Sequence, residues 1–126
     1  MSTATQTNLQ ARVNELVSYI QQGRIMEAMN EFYADSLVMQ ENNKPATVGL
    51  AANIEREKQF VAYVKQWKSL NIEAVAIDAA RGKALVQSNF EFEAVDGKTL
   101  KYDQVSVQTW KDGKIVSEKF YYDSAA

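Results

Sequence analysis

The stretch that decides the fold is YDQVSVQTWKDGKIVSEKFYYD, which runs from Tyr102 to Asp123. Two runs of alternating apolar and polar residues are joined there by Lys-Asp-Gly-Lys, and Asp-Gly between such runs is a strong signal for a β-hairpin. A two-residue loop would place Asp103 and Glu118 on the same face as the valines. Because carboxylates are rarely buried unless they are paired or functional, the hairpin predicts a sheet and a candidate site on one of its faces.

The rest of the second half continues this sheet. Strands are predicted at residues 72–79, 83–94, 99–111 and 114–123, and the turn-like sequences AARGK and DGK separate them. Sequential hairpins of this kind form an antiparallel meander.

The first half is helical. Apolar residues recur at helical spacing in segments 8–22, 24–33 and 50–70, and a short strand is predicted at 36–41. Asn53 and Glu57 fall inside the apolar stripe of the third helix. Helices gathered before a sheet indicate an α+β fold in which the helices pack on one sheet face.

The composition narrows the chemistry. The length of 126 residues favours one domain. The net charge is −2, and the chain contains no Cys and no His. Disulfides, thiolate nucleophiles, a Ser-His-Asp triad and the usual zinc ligands are therefore excluded. We expect any acid–base chemistry to use Asp, Glu, Tyr or Lys with shifted pKa values. We expect no metal and no cofactor.

Three sequence features that are absent limit the expected partners and the expected location of the protein. No block of Lys and Arg stands out, so no nucleic acid is expected. No apolar run approaches the roughly 18 residues of a membrane span, so no membrane is expected. The polar start MSTATQTN has no signal-peptide pattern, and we expect a cytoplasmic protein.

The two faces of the predicted sheet differ in character. The face that carries Asp103 and Glu118 is apolar enough to meet the helices. The opposite face is polar but carries Tyr102, Trp110 and Tyr121. Amphipathic aromatic residues in a polar surface are typical of protein–protein interfaces, so we expect a homodimer through this outer face. The alternative is a solvated face with scattered aromatic residues.

Several motifs in order resemble a known family. EAMNEFYADSLVMQEN, TVGLAANIE and the ending WKDGKIVSEKFYYD resemble SnoaL-like domains of the nuclear-transport-factor-2-like superfamily. The resemblance implies one domain over residues 1–126, with residues 1–7 as a flexible tail. It implies a cone-shaped α+β fold in which three N-terminal helices pack on a curved antiparallel sheet and enclose an apolar pocket. The fold alone does not select an activity.

The resemblance also suggests individual roles. The ketosteroid isomerase pattern has a Tyr on the first helix and a carboxylate base at the end of the first strand, and Tyr19 and Glu41 match these. Its protonated Asp lies on the strand of Asp103, but Asp103 is farther from the hairpin than the pattern requires. The dehydratase pattern requires a His, which is lacking. The epoxide hydrolase pattern requires an Asp-Arg-Asp arrangement, and no arginine falls on the predicted pocket face.

Ten residues are therefore candidates for the site. The predicted catalytic residues are Glu57, Glu118, Glu41 and Tyr19. The predicted ligand-binding residues are Asn53, Asp103, Trp67, Phe60, Phe90 and Tyr122. Most have an alternative. It is an ion pair with a Lys for Glu118, a snorkelling side chain for Glu57, a solvated acid for Asp103 and for Glu41, and a boundary tyrosine for Tyr19, while Trp67, Phe60 and Phe90 could be core residues.

Two functions remain open on the sequence alone. The first is an isomerase, cyclase or lyase without metal, acting on an apolar carbonyl compound through a Glu with a raised pKa and a Tyr hydroxyl. The second is a non-catalytic ligand-binding or dimeric interaction module that uses the same pocket or only the dimer.

Overall fold

The computed structural model describes the backbone of residues 3–123 and the side chains of residues 8–123. Within this range the chain forms three helices, namely α1 (Thr3–Gln21), α2 (Ile25–Phe32) and α3 (Leu50–Tyr63). The strands in the same range are β1 (Tyr33–Glu41), β2 (Thr47–Val48), β3 (Val64–Asp78), β4 (Lys83–Ala94), β5 (Thr99–Lys111) and β6 (Lys114–Tyr122).

The six strands form one sheet in the order β2-β1-β6-β5-β4-β3. Strands β3 to β6 are the predicted antiparallel meander. Strand β1 lies parallel to β6, so the sheet is mixed rather than wholly antiparallel. The predicted α+β fold is confirmed, and the parallel pair is the feature that sequential hairpins did not indicate.

The helices supply the other half of the core. Val13 and Leu16 of α1 and Phe32 of α2 are fully buried, and they cluster with Trp110 and Ile115 of the sheet. Phe32 meets the Trp110 ring at 6.5 Å between centroids. This cluster closes one end of the space between the helices and the sheet, because its large side chains fill that end.

Helix α3 ends at Tyr63, seven residues earlier than the predicted range 50–70. The residues that follow belong to β3, where Trp67 lies opposite Phe92 and Leu70 opposite Phe90. Apolar residues spaced three apart suit either a helix or a strand with bulges, and this pairing contains three register shifts. Long-range pairing with β4 therefore overrides the local helical pattern.

The hairpin between β4 and β5 has a three-residue loop, not the two-residue loop assumed from Asp96-Gly97. The Ala94 N–H donates to the Lys98 carbonyl at 2.8 Å, which leaves residues 95–97 as the loop. Phe90 consequently lies opposite Tyr102, not opposite Asp103. Since a one-residue slip moves every side chain of a strand to the other face, the predicted faces of β5 are reversed.

A bulge corrects the register again in the next hairpin. Trp110 pairs with Ile115, but Thr109 pairs with Ser117, so Val116 is skipped. The two errors cancel for the end of β6, and Glu118 stays on the inner face as predicted. On β5 the inner face carries Tyr102, Gln104, Ser106, Gln108 and Trp110.

These registers correct the composition of the predicted outer face. Of its three aromatic residues, only Tyr121 is outward, with 47% of its surface exposed. Tyr102 lines the interior and Trp110 is buried. The homodimer itself stays a prediction.

The N-terminal helix is longer than predicted. It begins at Thr3, so it includes most of the segment expected to form a flexible tail, while residues 1 and 2 lie outside the described residues. None of the helices in the described part of the chain is both long enough and apolar enough to cross a membrane.

Candidate functional site

A cavity of about 340 Å³ lies between the helices and the inner face of the sheet. Eight of the ten predicted site residues line it, and they are Glu41, Asn53, Glu57, Phe60, Trp67, Phe90, Glu118 and Tyr122. The structure therefore brings together the three predicted catalytic acids, which come from β1, α3 and β6.

Glu118 lies at the most enclosed part of this cavity. Only 3% of it is exposed, and three donors reach its carboxyl group. The Tyr33 hydroxyl donates to Oε1 at 2.7 Å, the Ser106 hydroxyl donates to Oε2 at 2.6 Å, and Gln108 Nε2 donates to Oε2 at 3.3 Å. The predicted alternative of an ion pair with a Lys is wrong, because the partners are all uncharged.

Burial and hydrogen bonding act in opposite directions on this acid. Burial raises the pKa of Glu118, while the bonds from Ser106, Tyr33 and Gln108 lower it, and burial prevails. The pKa of Tyr33 is held well above its ordinary value, first by burial and then by the charge of Glu118. Tyr33 therefore stays a neutral donor.

The amide of Gln108 has a fixed orientation. The indole N–H of Trp110 donates to Gln108 Oε1 at 2.9 Å, which leaves the amide NH₂ directed to Glu118. Both side chains are buried. The chain Trp110–Gln108–Glu118 is a positioning network, because each member determines the orientation of the next.

Glu57 of α3 is the acid without a partner. It is partly buried in the cavity wall, and no side chain in the described part of the chain donates a hydrogen bond to it or forms an ion pair with it. Burial, followed by the charges of Glu118 and Glu41, raises its pKa to about 7, against a smaller lowering by Arg56. A carboxyl group with this pKa exchanges protons readily near neutral pH.

Glu41 is fixed at the end of β1 by two partners. Arg56 Nη2 donates to Oε2 at 2.8 Å, and the Tyr122 hydroxyl donates to Oε1 at 3.0 Å. Arg56 Nη1 also donates to Thr47 Oγ1 at 2.9 Å. The pKa of Tyr122 is raised to about 12 by burial and by its bond to Glu41.

An aromatic cluster forms the wall farthest from the Trp110 end. Phe60 meets Trp67 at 6.1 Å and Phe92 at 5.5 Å between centroids, both edge to face. Phe90 stacks on Tyr102 at 5.1 Å. Trp67 is 40% exposed although it lines the cavity, so this wall reaches solvent and provides apolar surface for a ligand.

Tyr102 and Gln104 of β5 are the donors that sequence reasoning missed. Both line the cavity, and neither side chain forms a hydrogen bond with another described residue. Sequence reasoning placed them on the outer face because the loop at 95–97 was taken to be one residue shorter. Ser106 and Gln108 were missed for the same reason, whereas Tyr33 was taken as the end of a helix.

Asn53 has a local structural role. It is buried, and its Nδ2 donates to the carbonyl oxygens of Thr47 at 3.0 Å and Gly49 at 2.8 Å. These bonds hold the segment that leads into α3. Its predicted contact with a ligand stays a prediction.

Two predicted site residues lie away from the cavity. Tyr19 packs edge to face on Phe32 at 5.1 Å, and the Arg24 guanidinium lies 4.1 Å from the centre of its ring, so it is a core-boundary tyrosine. Asp103 is exposed on the outer face, opposite Asn89, because of the register of β5. The structure thus separates both from the three acids.

Arg56 also lines the cavity, and it does so from α3, not from the sheet face on which no arginine was predicted. No set of three or more Asp and Glu side chains in the described range is arranged to hold a metal ion.

The family model described as the SnoaL-like domain matches residues 13–118. A comparison with curated proteins found no match. Among solved structures, a protein from Mesorhizobium loti provisionally described as a SnoaL-like polyketide cyclase is 20% identical, with 97% of this chain and all of that chain covered and a TM-score of 0.77.

Two further solved structures have a similar fold. A protein from M. tuberculosis described as an LEH-like epoxide hydrolase is 13% identical, with 94% of this chain and 85% of that chain covered and a TM-score of 0.73. TerC, crystallised with polyporic acid, is 14% identical, with 94% and 93% covered and a TM-score of 0.75. At these identities the likeness shows the fold alone.

Proposed function

Because this chain belongs to the family of SnoaL-like domains, we propose that its cavity binds an apolar carbonyl compound and that Glu57 moves a proton at the carbon next to the carbonyl group. The activity would be that of an isomerase, cyclase or lyase that uses only protein side chains. Structures with the same fold are described as a polyketide cyclase and an epoxide hydrolase, so the fold supports more than one chemistry on small organic molecules.

The observation that carries the proposal is the state of Glu57. It is an unpartnered carboxyl group with a pKa of about 7 in a cavity whose other two acids are both held by hydrogen bonds. A general base works best when its pKa lies near the working pH, because enough of it is then ionised while it remains basic. Structural carboxylates, by contrast, are usually paired.

The proposed step conserves protons. The Glu57 carboxylate takes a proton from the carbon next to the substrate carbonyl and forms the enolate, and the protonated Glu57 returns a proton to carbon. The enolate oxygen needs donors, and Tyr102 and Gln104 are two cavity donors with no hydrogen-bond partner among the described residues. Tyr33 is not available for this role while its hydroxyl donates to Glu118.

Glu118 acts in this scheme through Glu57. Its charge is the second cause, after burial, of the raised pKa of Glu57. Its hydrogen bonds to Tyr33, Ser106 and Gln108 hold its position. We therefore assign Glu118 as a positioning residue that adjusts the basicity of Glu57.

Deuterium exchange tests this function directly. Wild-type protein and Glu57→Gln are incubated in D₂O with 4-phenylbutan-2-one and with 2-tetralone, and loss of the proton next to the carbonyl is followed by NMR. We expect the wild type to accelerate exchange and the variant to lose about 10²-fold or more of that acceleration. Equal exchange by both proteins, or no acceleration by the wild type, would contradict the assignment.

Ligand binding without turnover is the second candidate. It is favoured by the full set of internal partners of Glu118, which resembles a structural network more than a reactive one. In that case the two ketones would bind but show no exchange above the background.

We also propose that the chain forms a homodimer through the outer face of the sheet. Leu85 and Tyr121 project from this face with 38% and 47% of their surfaces exposed, and Val105 lies opposite Tyr121 on the neighbouring strand. These apolar side chains support the proposal in place of Tyr102 and Trp110.

A further inference from the structure

Charge is distributed unevenly around the cavity. Three carboxyl groups, those of Glu41, Glu57 and Glu118, line it in the described part of the chain, against the single guanidinium of Arg56. Burial is the first cause of the raised pKa of Glu57, and the charges of Glu118 and Glu41 add to it, because a further negative charge is disfavoured beside them. A ligand carboxylate would meet the same repulsion.

Arg56 is the group that would otherwise attract an anion, and it is already occupied. Its Nη2 donates to Glu41 at 2.8 Å and its Nη1 donates to Thr47 at 2.9 Å. Arginine binds carboxylates best through two parallel hydrogen bonds from its planar fork. Because Glu41 already neutralises this guanidinium and takes an N–H of Nη2, a ligand carboxylate would have to compete with Glu41 for Arg56.

Glu41 is not free to move away. Its second oxygen accepts a hydrogen bond from the Tyr122 hydroxyl at 3.0 Å, so the carboxylate is held from both sides. If a ligand displaced Glu41 from Arg56, the Glu41 carboxylate would remain beside Glu57 without a cation to neutralise it.

We propose that Glu41 sets the charge selectivity of the cavity: by occupying Arg56 it produces a site that accepts uncharged carbonyl compounds and rejects carboxylates. The inference rests on the proposed function, because it names the substrate class of the same cavity. It also changes the role of Glu41 from the predicted catalytic base to a specificity-determining residue.

Two compounds of the same size and shape test the selectivity. 3-Phenylpropanamide and 3-phenylpropanoate differ mainly in charge, and their binding to the wild-type protein at pH 8 is measured by titration calorimetry. We expect the amide to bind at least about tenfold more tightly, since like charges brought together in a binding site repel each other. Equal binding, tighter binding of the carboxylate, or binding of neither compound would overturn the proposal.

Substitutions then test whether Glu41 is responsible. Glu41→Gln removes one charge and releases Arg56, so we expect binding of the carboxylate to tighten about tenfold or more relative to wild type. Glu55→Gln is the matched control, because it removes the same charge from an exposed position on α3 outside the cavity lining. A gain with Glu41→Gln no larger than that with Glu55→Gln would overturn the role of Glu41.

A double variant identifies the group that receives the anion. In Glu41→Gln/Arg56→Gln we expect the gain in carboxylate binding to disappear, and persistence of the gain would overturn the role of Arg56. The wild-type comparison stands by itself if the variants do not fold.

The outcome is separable from that of the proposed function. Exchange that depends on Glu57, together with equal binding of amide and carboxylate, would overturn the selectivity and leave the function standing. Selective binding of the amide without any ketone exchange would overturn the catalytic assignment and leave the selectivity standing.

Discussion

The Tyr33 hydroxyl lies 2.7 Å from Glu118 Oε1, in a hydrogen bond that joins the first residue of β1 to the middle of β6 inside the buried interior. It links the one parallel strand pair of the described sheet to the cavity. The bond therefore serves the fold and the site together, because the same carboxyl group raises the pKa of Glu57.

Tyr33→Phe is expected to destabilise the protein. The change leaves the buried carboxyl of Glu118 with one donor fewer, and an incompletely bonded buried polar group costs about 1–3 kcal/mol. Urea unfolding at pH 7 measures the loss. Tyr121→Phe is the control, since Tyr121 is exposed and surface changes stay within about 0.5 kcal/mol. Equal stability of the two variants would contradict the bond's contribution.

Glu57→Gln is expected to make stability less dependent on pH. The pKa of Glu57 is raised from an ordinary 4.5 to about 7, so the folded state retains this proton to higher pH than the unfolded state. The contribution of Glu57 to the free energy of unfolding therefore falls as pH rises from about 4.5 to about 7 and is then level. The variant lacks this contribution.

Urea unfolding at pH 4 and pH 8 measures the difference. We expect Glu57→Gln to gain about 1–3 kcal/mol over the wild type between the two values. Glu55→Gln, on the exposed face of α3, is expected to follow the wild-type dependence. A Glu57→Gln profile parallel to that of the wild type would show that the pKa of Glu57 is ordinary.

The rate of ketone exchange is expected to rise with pH to a plateau, with its midpoint near pH 7, because the ionised form of Glu57 is the base. Glu118→Gln removes one cause of the raised pKa of Glu57, so the midpoint should move to lower pH. The readout is the pH–rate profile of each protein by NMR. An unmoved midpoint in a folded Glu118→Gln protein would argue against the positioning role of Glu118.

Gly82→Ala is expected to be strongly destabilising. Gly82 has a φ of +65°, and a Cβ there would lie 2.8 Å from the backbone oxygen of Trp110. Gly23 has a similar φ of +74° but open space around it, so Gly23→Ala isolates the cost of the backbone conformation, about 1 kcal/mol. We expect Gly82→Ala to cost at least 1–2 kcal/mol more by thermal or urea unfolding, which is about the cost of overpacking. Equal losses would mean that the close contact is relieved.

The proposed homodimer is expected to depend on the outer face. Leu85→Lys/Tyr121→Lys places two charges on that face, and desolvating them should dissociate the dimer. Sedimentation velocity measures the mass in solution. Val61→Lys/Val95→Lys is the control, since both residues are exposed and lie outside this face, on α3 and in the loop at 95–97. A wild-type monomer, or a dimer that survives the double change, would contradict the proposed interface.

The sequence by itself determined most of the fold. Alternation and turn signals gave β4 and β5 with the same ends that the structure has, Lys83–Ala94 and Thr99–Lys111. Ordered motifs indicated the SnoaL-like family, which the family model confirms. Local signals of this kind suffice because hydrophobic period and turn chemistry are properties of short segments.

The sequence also identified Glu57 and Glu118 as acids on faces that are otherwise apolar, and both line the cavity. Glu57 could be identified from its position on the apolar stripe of a helix. Glu118 could be identified from the alternation along its strand, because the two register errors cancel there. The hydrogen bonds of Glu118, and the burial and neighbouring charges that raise the pKa of Glu57, come from residues on other elements, which no local pattern contains.

Only the tertiary structure decided which side chains of β5 enter the site. A single additional loop residue at 95–97 exchanged Asp103 for Tyr102, and the bulge at Val116 then kept Glu118 inside. The physical reason is the two-residue period of a strand, in which one residue of slip reverses every side chain. Loop length and bulge position are fixed by pairing and packing across the whole sheet, so the site depends on contacts that are remote in sequence.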